Sequence, residues 1–203
     1  MGDAQSSGQG VRGTDLKILL AVSRAIDWLN TQFAFVANWM VLLACLISAG
    51  NAFLRYGFSA GSNAWLEAQW YLFAGMVMLG ASWTLLRNEH VRVDLVYGSL
   101  GFRARIWVDI LGLLIFLLPA MLLLAWMTWP FFLDAWLRGE TSASPGGLIR
   151  WPVKLLMPLG FGLMVLQGMS ELIKRIALLR PAWRAALAAG GQTVIADYHR
   201  PEQ

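Results

Sequence analysis

Apolar residues in this chain do not alternate with polar ones at the period of a surface helix or a half-buried strand. They come in long unbroken blocks. The first runs from Trp28 to Leu54, between Asp27 and Arg55. The second runs from Ala68 to Leu86, preceded by Trp65 and Glu67. The third runs from Ile110 to Leu133, between Asp109 and Asp134, and the fourth from Leu155 to Ser170. A helix needs roughly 20 apolar residues to cross about 30 Å of hydrocarbon. The first block exceeds this and must tilt or run beyond the core. The fourth falls short, so it borrows residues from Trp151–Lys154 or from Glu171 onward, with Lys154 and Lys174 snorkelling at its ends. Membrane β-strands would be short and alternating, and in lipid a helix satisfies its own backbone. The pattern therefore predicts an all-α integral membrane protein with four transmembrane helices, at about 28–54, 65–86, 107–133 and 152–173. The first block is too long for the apolar core of a signal peptide, about 7–15 residues, and no small-residue cleavage site follows it. It is expected to stay as an anchor.

Composition agrees. Hydrophobic residues make up 58% of the chain and charged residues 14%, against about 25% charged in soluble domains. That excludes a disordered chain. The single Cys45 excludes a disulfide framework and any multi-cysteine metal site within one chain.

Charge sets the orientation. An even number of spans puts both termini on one side with the loop between the second and third helices. That side holds Arg12, Lys17, Arg24, Arg87, Arg92, Arg103, Arg105, Lys174, Arg175, Arg180, Arg184 and Arg200. Only Arg55, Arg138, Arg150 and Lys154 lie on the other. Basic residues stay cytoplasmic, so both termini are expected in the cytoplasm, and the net charge of +4 calls for no nucleic-acid partner. Residues 1–27 read as a cytoplasmic tail with an interfacial helix from about Thr14, 28–177 as the membrane domain, and 178–203 as a second cytoplasmic tail. Pro181 is expected to break the chain there, and Trp183–Ala189 are expected to form a short surface helix stopped by Gly190 and Gly191.

Polar residues near hydrocarbon are costly, so each marks a candidate position. Asn51 and Arg55 lie four apart near the outer end of the first span, and Trp65 and Glu67 open the second. An Arg55–Glu67 ion pair would close that hairpin; alternatively both charges mark the headgroup boundary. Gly75 and Gly80 in the second span, and Gly160, Gly162 and Gly168 in the fourth, admit a close neighbour, with Gln167 able to bond across the contact. Glu171 ends the fourth span. Glu140 stands in a turn-rich outer loop with Gly139, Pro145, Gly146 and Gly147. The middle loop, Arg87 to Asp94, gathers His90, Arg92 and Asp94. One histidine and one or two carboxylates fall short of three protein ligands for catalytic zinc, so a folded loop or partner contact is the better reading. No phosphate-binding glycine motif, nucleophile elbow, zinc-protease motif or haem-attachment motif occurs. The chain is not expected to be an enzyme or to hold a cofactor. Two readings stay open on these grounds, an accessory part of a larger assembly and a stand-alone small transporter acting as a homo-oligomer.

Several motifs then line up. Asn51, Arg55 and Tyr56 end the first span, Trp65 and Glu67 open the second, and Leu79-Gly80-Ala81 come late in it. His90-Val91-Arg92-Val93-Asp94 follow one helix later. Over about residues 30 to 178 the chain resembles the small four-helix Q subunit of tripartite ATP-independent periplasmic (TRAP) transporters. It departs from many members where Ala68 follows Glu67 in place of a second acid. The outer loop with Gly139-Glu140-Thr141-Ser142, then Trp151-Pro152-Val153-Lys154 and Leu166–Glu171, is similar to a branch labelled mannitol or chloroaromatic transport, which includes systems similar to those taking 2-oxo acids. The resemblance implies three things. One is a partnership with a large M-type membrane subunit that would hold substrate and sodium, and with a periplasmic substrate-binding protein. Another is residence in the bacterial inner membrane among its lipids. The third is a structural or interface role for Asn51, Arg55, Trp65, Glu67, His90, Arg92, Asp94, Glu140, Gln167 and Glu171.

Overall fold

The computed structural model describes residues 4–89, 100–180 and 183–184, with the side chains of the first helix described from residue 17. Helices account for almost all of it. α1 (Ala4–Phe58) is a single helix, because no proline precedes Pro119 in the chain and nothing else interrupts the ladder. The segment from about Thr14, read as an interfacial helix leading into the first span, is helical and continuous with that span. At 1.5 Å per residue α1 is about 80 Å long, well beyond a bilayer's thickness. It stops where Ser59 takes a positive φ of 54° and the Ala60 amide donates to the Leu54 carbonyl at 3.1 Å, a left-handed cap that reverses the chain. Ser62 caps the next helix, α2 (Asn63–Leu86), through its hydroxyl and the Ala64 amide.

The third apolar block forms α3 (Phe102–Leu111), a π-helical turn over Gly112–Leu117, and α4 (Leu118–Leu137). Proline has no N–H and its ring crowds the carbonyl four residues back. Just ahead of Pro119 the ladder slips by one, with the Leu118 amide donating to Leu113, as π turns allow. A tight loop follows α4, and α5 (Trp151–Leu178) completes the structure.

Three of these helical stretches are long and apolar enough to cross a membrane, Lys17–Phe58, Phe102–Leu137 and Trp151–Leu178. The fourth expected span, α2, is helical but falls outside that set. Its Gln69, Ser82 and Thr84 and its interfacial Trp and Tyr dilute the apolar run. The reason lies in its surroundings: α2 packs along α1 on one side and α5 on the other. α5 is the hub, in contact with α1, α2 and α4, and 39% of its apolar window is buried against 11% for α1.

Glycines set the closeness of these contacts. A Cβ at Gly160 would lie 2.8 Å from both Cβ and the carbonyl oxygen of Met78, and one at Gly168 would lie 2.8 Å from Leu117 Cδ2. Gly75 is closed off by Met40. Most of the glycine contacts of α2 and α5 are therefore consumed within the chain, and of Gly75, Gly80, Gly160, Gly162 and Gly168 it is Gly162 that meets nothing within 4 Å. Ala37, Leu79 and Leu163 form one small core. Leu20, Ile106, Ile110, Ala177 and Leu178 form another at the end that carries the termini.

Candidate functional site

With so few apolar side chains buried, the polar contacts between helices stand out. They gather in two places. At the end nearer the termini a seam joins α1, α3 and α5. Asn30, fully buried, donates from Nδ2 to Gln167 Oε1 at 2.7 Å. The Gln167 amide donates to Asp27 Oδ1 at 3.1 Å and Glu171 Oε1 at 3.2 Å. Ser23 donates to Ser170 at 2.7 Å, whose own hydroxyl donates to Asp27 Oδ1 at 2.8 Å. Lys174 Nζ sits 2.8 Å from Asp27 Oδ2 and 2.9 Å from Glu171 Oε1. Arg175 binds Glu171 and, at 3.2 Å, Asp109 of α3.

The seam follows from helical spacing. Ser23, Asp27 and Asn30 recur at four and three along α1, and Gln167, Ser170, Glu171 and Lys174 do so along α5, so each helix offers one polar stripe. Lys174 and Arg175 are only 2% and 4% exposed. Charges this deep must be paired. Lys174 does not snorkel outward, as the sequence suggested; it is turned inward between two carboxylates. Asn30 Oδ1 is the exception, buried without a hydrogen-bond partner.

The second cluster lies at the opposite end, where the loop between α4 and α5 folds onto the start of α2. Thr141 and Ile149 form a β-bridge, the Arg150 amide donates to Glu140 O at 2.8 Å, and Gly139 (φ 59°) and Gly146 (φ 77°) supply left-handed turns. Glu67 fixes this hairpin to α2. It accepts from Ser142 Oγ and from the Leu148 amide at 2.9 Å. The proposed Arg55–Glu67 ion pair does not form; loop donors occupy the Glu67 carboxylate, and the stem of Arg55 lies against Gly61. Lys154 pairs with Glu140 and rests 3.8 Å from the centre of the Phe131 ring, while Arg150 pairs with Glu140 at 3.3 Å. The Lys154 hydrogen bond, with smaller help from Arg150, holds the Glu140 carboxyl below the usual carboxylate range.

Of the candidate residues, the structure gathers Gln167 and Glu171 in the first cluster and Glu67 and Glu140 in the second. Asn51 lies in α1 with its Oδ1 buried and unbonded, and Trp65 is half exposed in the first turn of α2. His90, Arg92 and Asp94 lie outside the described residues, as does most of the short helix expected at Trp183–Ala189. Sequence reasoning missed Asp27, Asn30, Asp109 and Arg175. Their signal was present as stripe spacing, but each looked like a boundary residue of its own span. Among the described residues no three His, Cys, Asp or Glu side chains are placed to hold a metal ion.

This architecture is that of a small, all-α, multi-span membrane protein whose polar groups hold its own helices together. Residues 44–178 match the family described as Tripartite ATP-independent periplasmic transporters, DctQ component, and the chain belongs to that family. Its members are non-catalytic membrane components that work beside a large membrane subunit and a periplasmic substrate-binding protein, so this chain is not an enzyme. No curated protein and no solved structure matches it.

Proposed function

We propose that this chain is the static accessory subunit of a sodium-coupled importer of an organic carboxylate, of the 2-oxo acid kind, in a bacterial inner membrane. It braces the large transport subunit and extends the surface on which the periplasmic binding protein docks. In this reading residues 28–177 are the membrane domain and 1–27 and 178–203 are cytoplasmic. α2 is the fourth span, and both termini face the cytoplasm. The polar seam then lies at the cytoplasmic boundary and the Glu67-anchored loop on the periplasmic face.

The observation that carries the reading is where the polar side chains are spent. Gln167, Glu171 and Glu67 bond to this chain's own groups. A carrier's binding residues would instead face an open path near midplane. Broad apolar exteriors on α1 and α4, with Phe35, Trp39, Leu46, Leu123 and Trp126 all exposed, are what a scaffold offers to lipid and to a larger neighbour. Sodium and substrate sites belong in that neighbour.

Purification of the tagged chain from its native membrane in a mild detergent, with mass analysis of what copurifies, tests this. A stoichiometric, much larger membrane protein is expected. Recovery only as a homo-oligomer, from membranes in which the neighbouring proteins are expressed, would overturn the accessory role and make flux through this chain alone the question.

A further inference from the structure

A groove of about 400 Å³ runs along an exposed side of the α1–α2 pair. Its walls include Val41, Cys45 and Ser48 from α1 and Gln69, Trp70 and Phe73 from α2. It is mostly apolar, open, and polar only toward one end. Val41, Cys45 and Ser48 are spaced by four and three, and the same stripe continues seven residues on to Arg55. Arg55 therefore stands on the groove's own face of α1, about 10 Å beyond Ser48 at 1.5 Å per residue.

That arginine has no hydrogen bond or ion pair among the described residues. It is exposed, its stem lies over the turn at Gly61, where an added Cβ would meet Arg55 Cγ at 3.6 Å, and Tyr56, Phe58 and Trp65 are exposed around it. Such aromatics mark the headgroup level. Across the antiparallel pair Arg55 faces Gly61 and Met40 faces Gly75, which sets Gln69 level with Ser48 at the upper edge of the groove. Going inward from the surface, the order is a free guanidinium, then a pair of uncharged hydrogen-bonding groups, then an apolar trough.

We propose that this face binds an anionic phospholipid, with its phosphate on Arg55, an ester carbonyl at Gln69 and one acyl chain in the Val41–Phe73 groove. Charge complementarity selects the occupant. A guanidinium offers two parallel donors that match phosphate oxygens, and a bilayer anion is the partner at headgroup level that also brings a chain for the trough. The inference uses only the reading that α1 and α2 both cross the bilayer, and is independent of whether a large subunit is present.

The test uses the full chain with whatever copurifies, exchanged into nanodiscs containing equal phosphatidylglycerol and phosphatidylcholine, and lipid retention read by native mass spectrometry. One retained phosphatidylglycerol per chain is expected, preferred about threefold over phosphatidylcholine, whose phosphate offers the same oxygens but carries a cationic choline beside them, the scale of one exposed charge interaction. Arg55→Gln should bring the two lipids to parity and Arg55→Lys should keep a preference. Ser48→Phe, filling the groove, should abolish retention of both while helical content is unchanged. Cys45, the only cysteine and an exposed one, reports occupancy independently. It should react with a membrane-soluble thiol reagent after delipidation and be shielded again by phosphatidylglycerol. Equal retention of both lipids by the unaltered chain, or an unchanged preference in Arg55→Gln, would overturn the proposal. So would Cys45 that stays shielded once all lipid is gone, which would mean that a protein segment fills the groove.

Discussion

Lys174 shows how much a single buried cation governs here. It is shared between Asp27 on α1 and Glu171 on its own helix, so replacing it with alanine leaves Asp27 with only the neutral donors of Gln167 and Ser170, while Glu171 keeps Arg175. Removing one partner of a buried ion pair costs about 3–5 kcal/mol. Lys174→Ala should therefore lower the thermal midpoint of the purified protein sharply, as followed by helical circular dichroism. A midpoint within a degree or two of the parent would mean that the seam is open to solvent. Gln167→Leu is the milder case, because it leaves the Asn30 amide without its acceptor, a loss of about 1–3 kcal/mol. At the other end, Glu67 and Arg55 should behave as independent residues. Glu67→Ala frees the loop from α2 and should reduce yield and loop protection, Arg55→Ala should leave both unchanged, and the double variant should match the sum. A strong coupling between the two would restore the ion pair that the structure replaces with loop contacts.

Among the elements, α5 is where packing is tightest, and two glycines two residues apart should respond in opposite ways to the same change. Gly160→Ala pushes a methyl into the backbone of α2 at Met78 and should destabilise by about 1–3 kcal/mol. Gly162→Ala meets nothing within 4 Å and should be neutral or gain up to about 1 kcal/mol from helix propensity. Equal effects in a thermal melt would contradict the assigned α2–α5 contact. The α4–α5 loop carries a pH prediction. The folded state holds the Glu140 carboxyl below its ordinary value of 4.5, so its contribution is complete above that value and is lost as pH falls through the lowered one. The melting gap between the parent and Glu140→Gln should be constant near neutrality and close in acid. A gap that widened on acidification would reverse the sign.

How much of this could be read in advance differs by element. Continuous apolar blocks gave away α1, α3–α4 and α5, because lipid imposes length and hydrophobicity directly on sequence. The ends were less legible. The extension of α1 to Ala4 rests on an unbroken helix through a polar, glycine-containing stretch, where composition argued for a loose tail. The π turn was invisible as such, although Pro119 was in plain view. The site was half legible: Gln167 and Glu171 stood out as polar residues in an apolar span, but Asp27 and Asp109 looked like ordinary boundary charges. Only the packing of α1 and α3 against α5 reveals that each shares a cation with Glu171, Asp27 through Lys174 and Asp109 through Arg175. Arg55 and Glu67 show the converse, since proximity in a short hairpin offered a pair as one of two readings and the loop between α4 and α5, distant in sequence, supplies the donors to Glu67 instead.

For the molecule as a whole, the proposed crossing of the membrane by α2 has the most consequence, since α2 alone lacks the apolar run of the other three long helices. Its surroundings argue that it does. α2 lies antiparallel to α1 and against α5, its 24 residues reach about 36 Å, and its buried Ser82 and Gly75 face those neighbours. A helix covered on two sides needs less hydrophobicity than one bathed in lipid, because neighbours take up its polar groups. Two engineered cysteines decide the matter in a Cys45→Ser background. If α2 spans, Ser144→Cys in the α4–α5 loop should react with an impermeant maleimide from the periplasmic side. Glu89→Cys, just past α2, should then react only after the inner membrane is opened. If α2 stayed outside, the next crossing would carry Ser144 inward and leave Glu89 outside, and the two labelling patterns would exchange. That exchange would also place the termini on opposite sides, against the twelve basic residues that the four-span arrangement collects on one face.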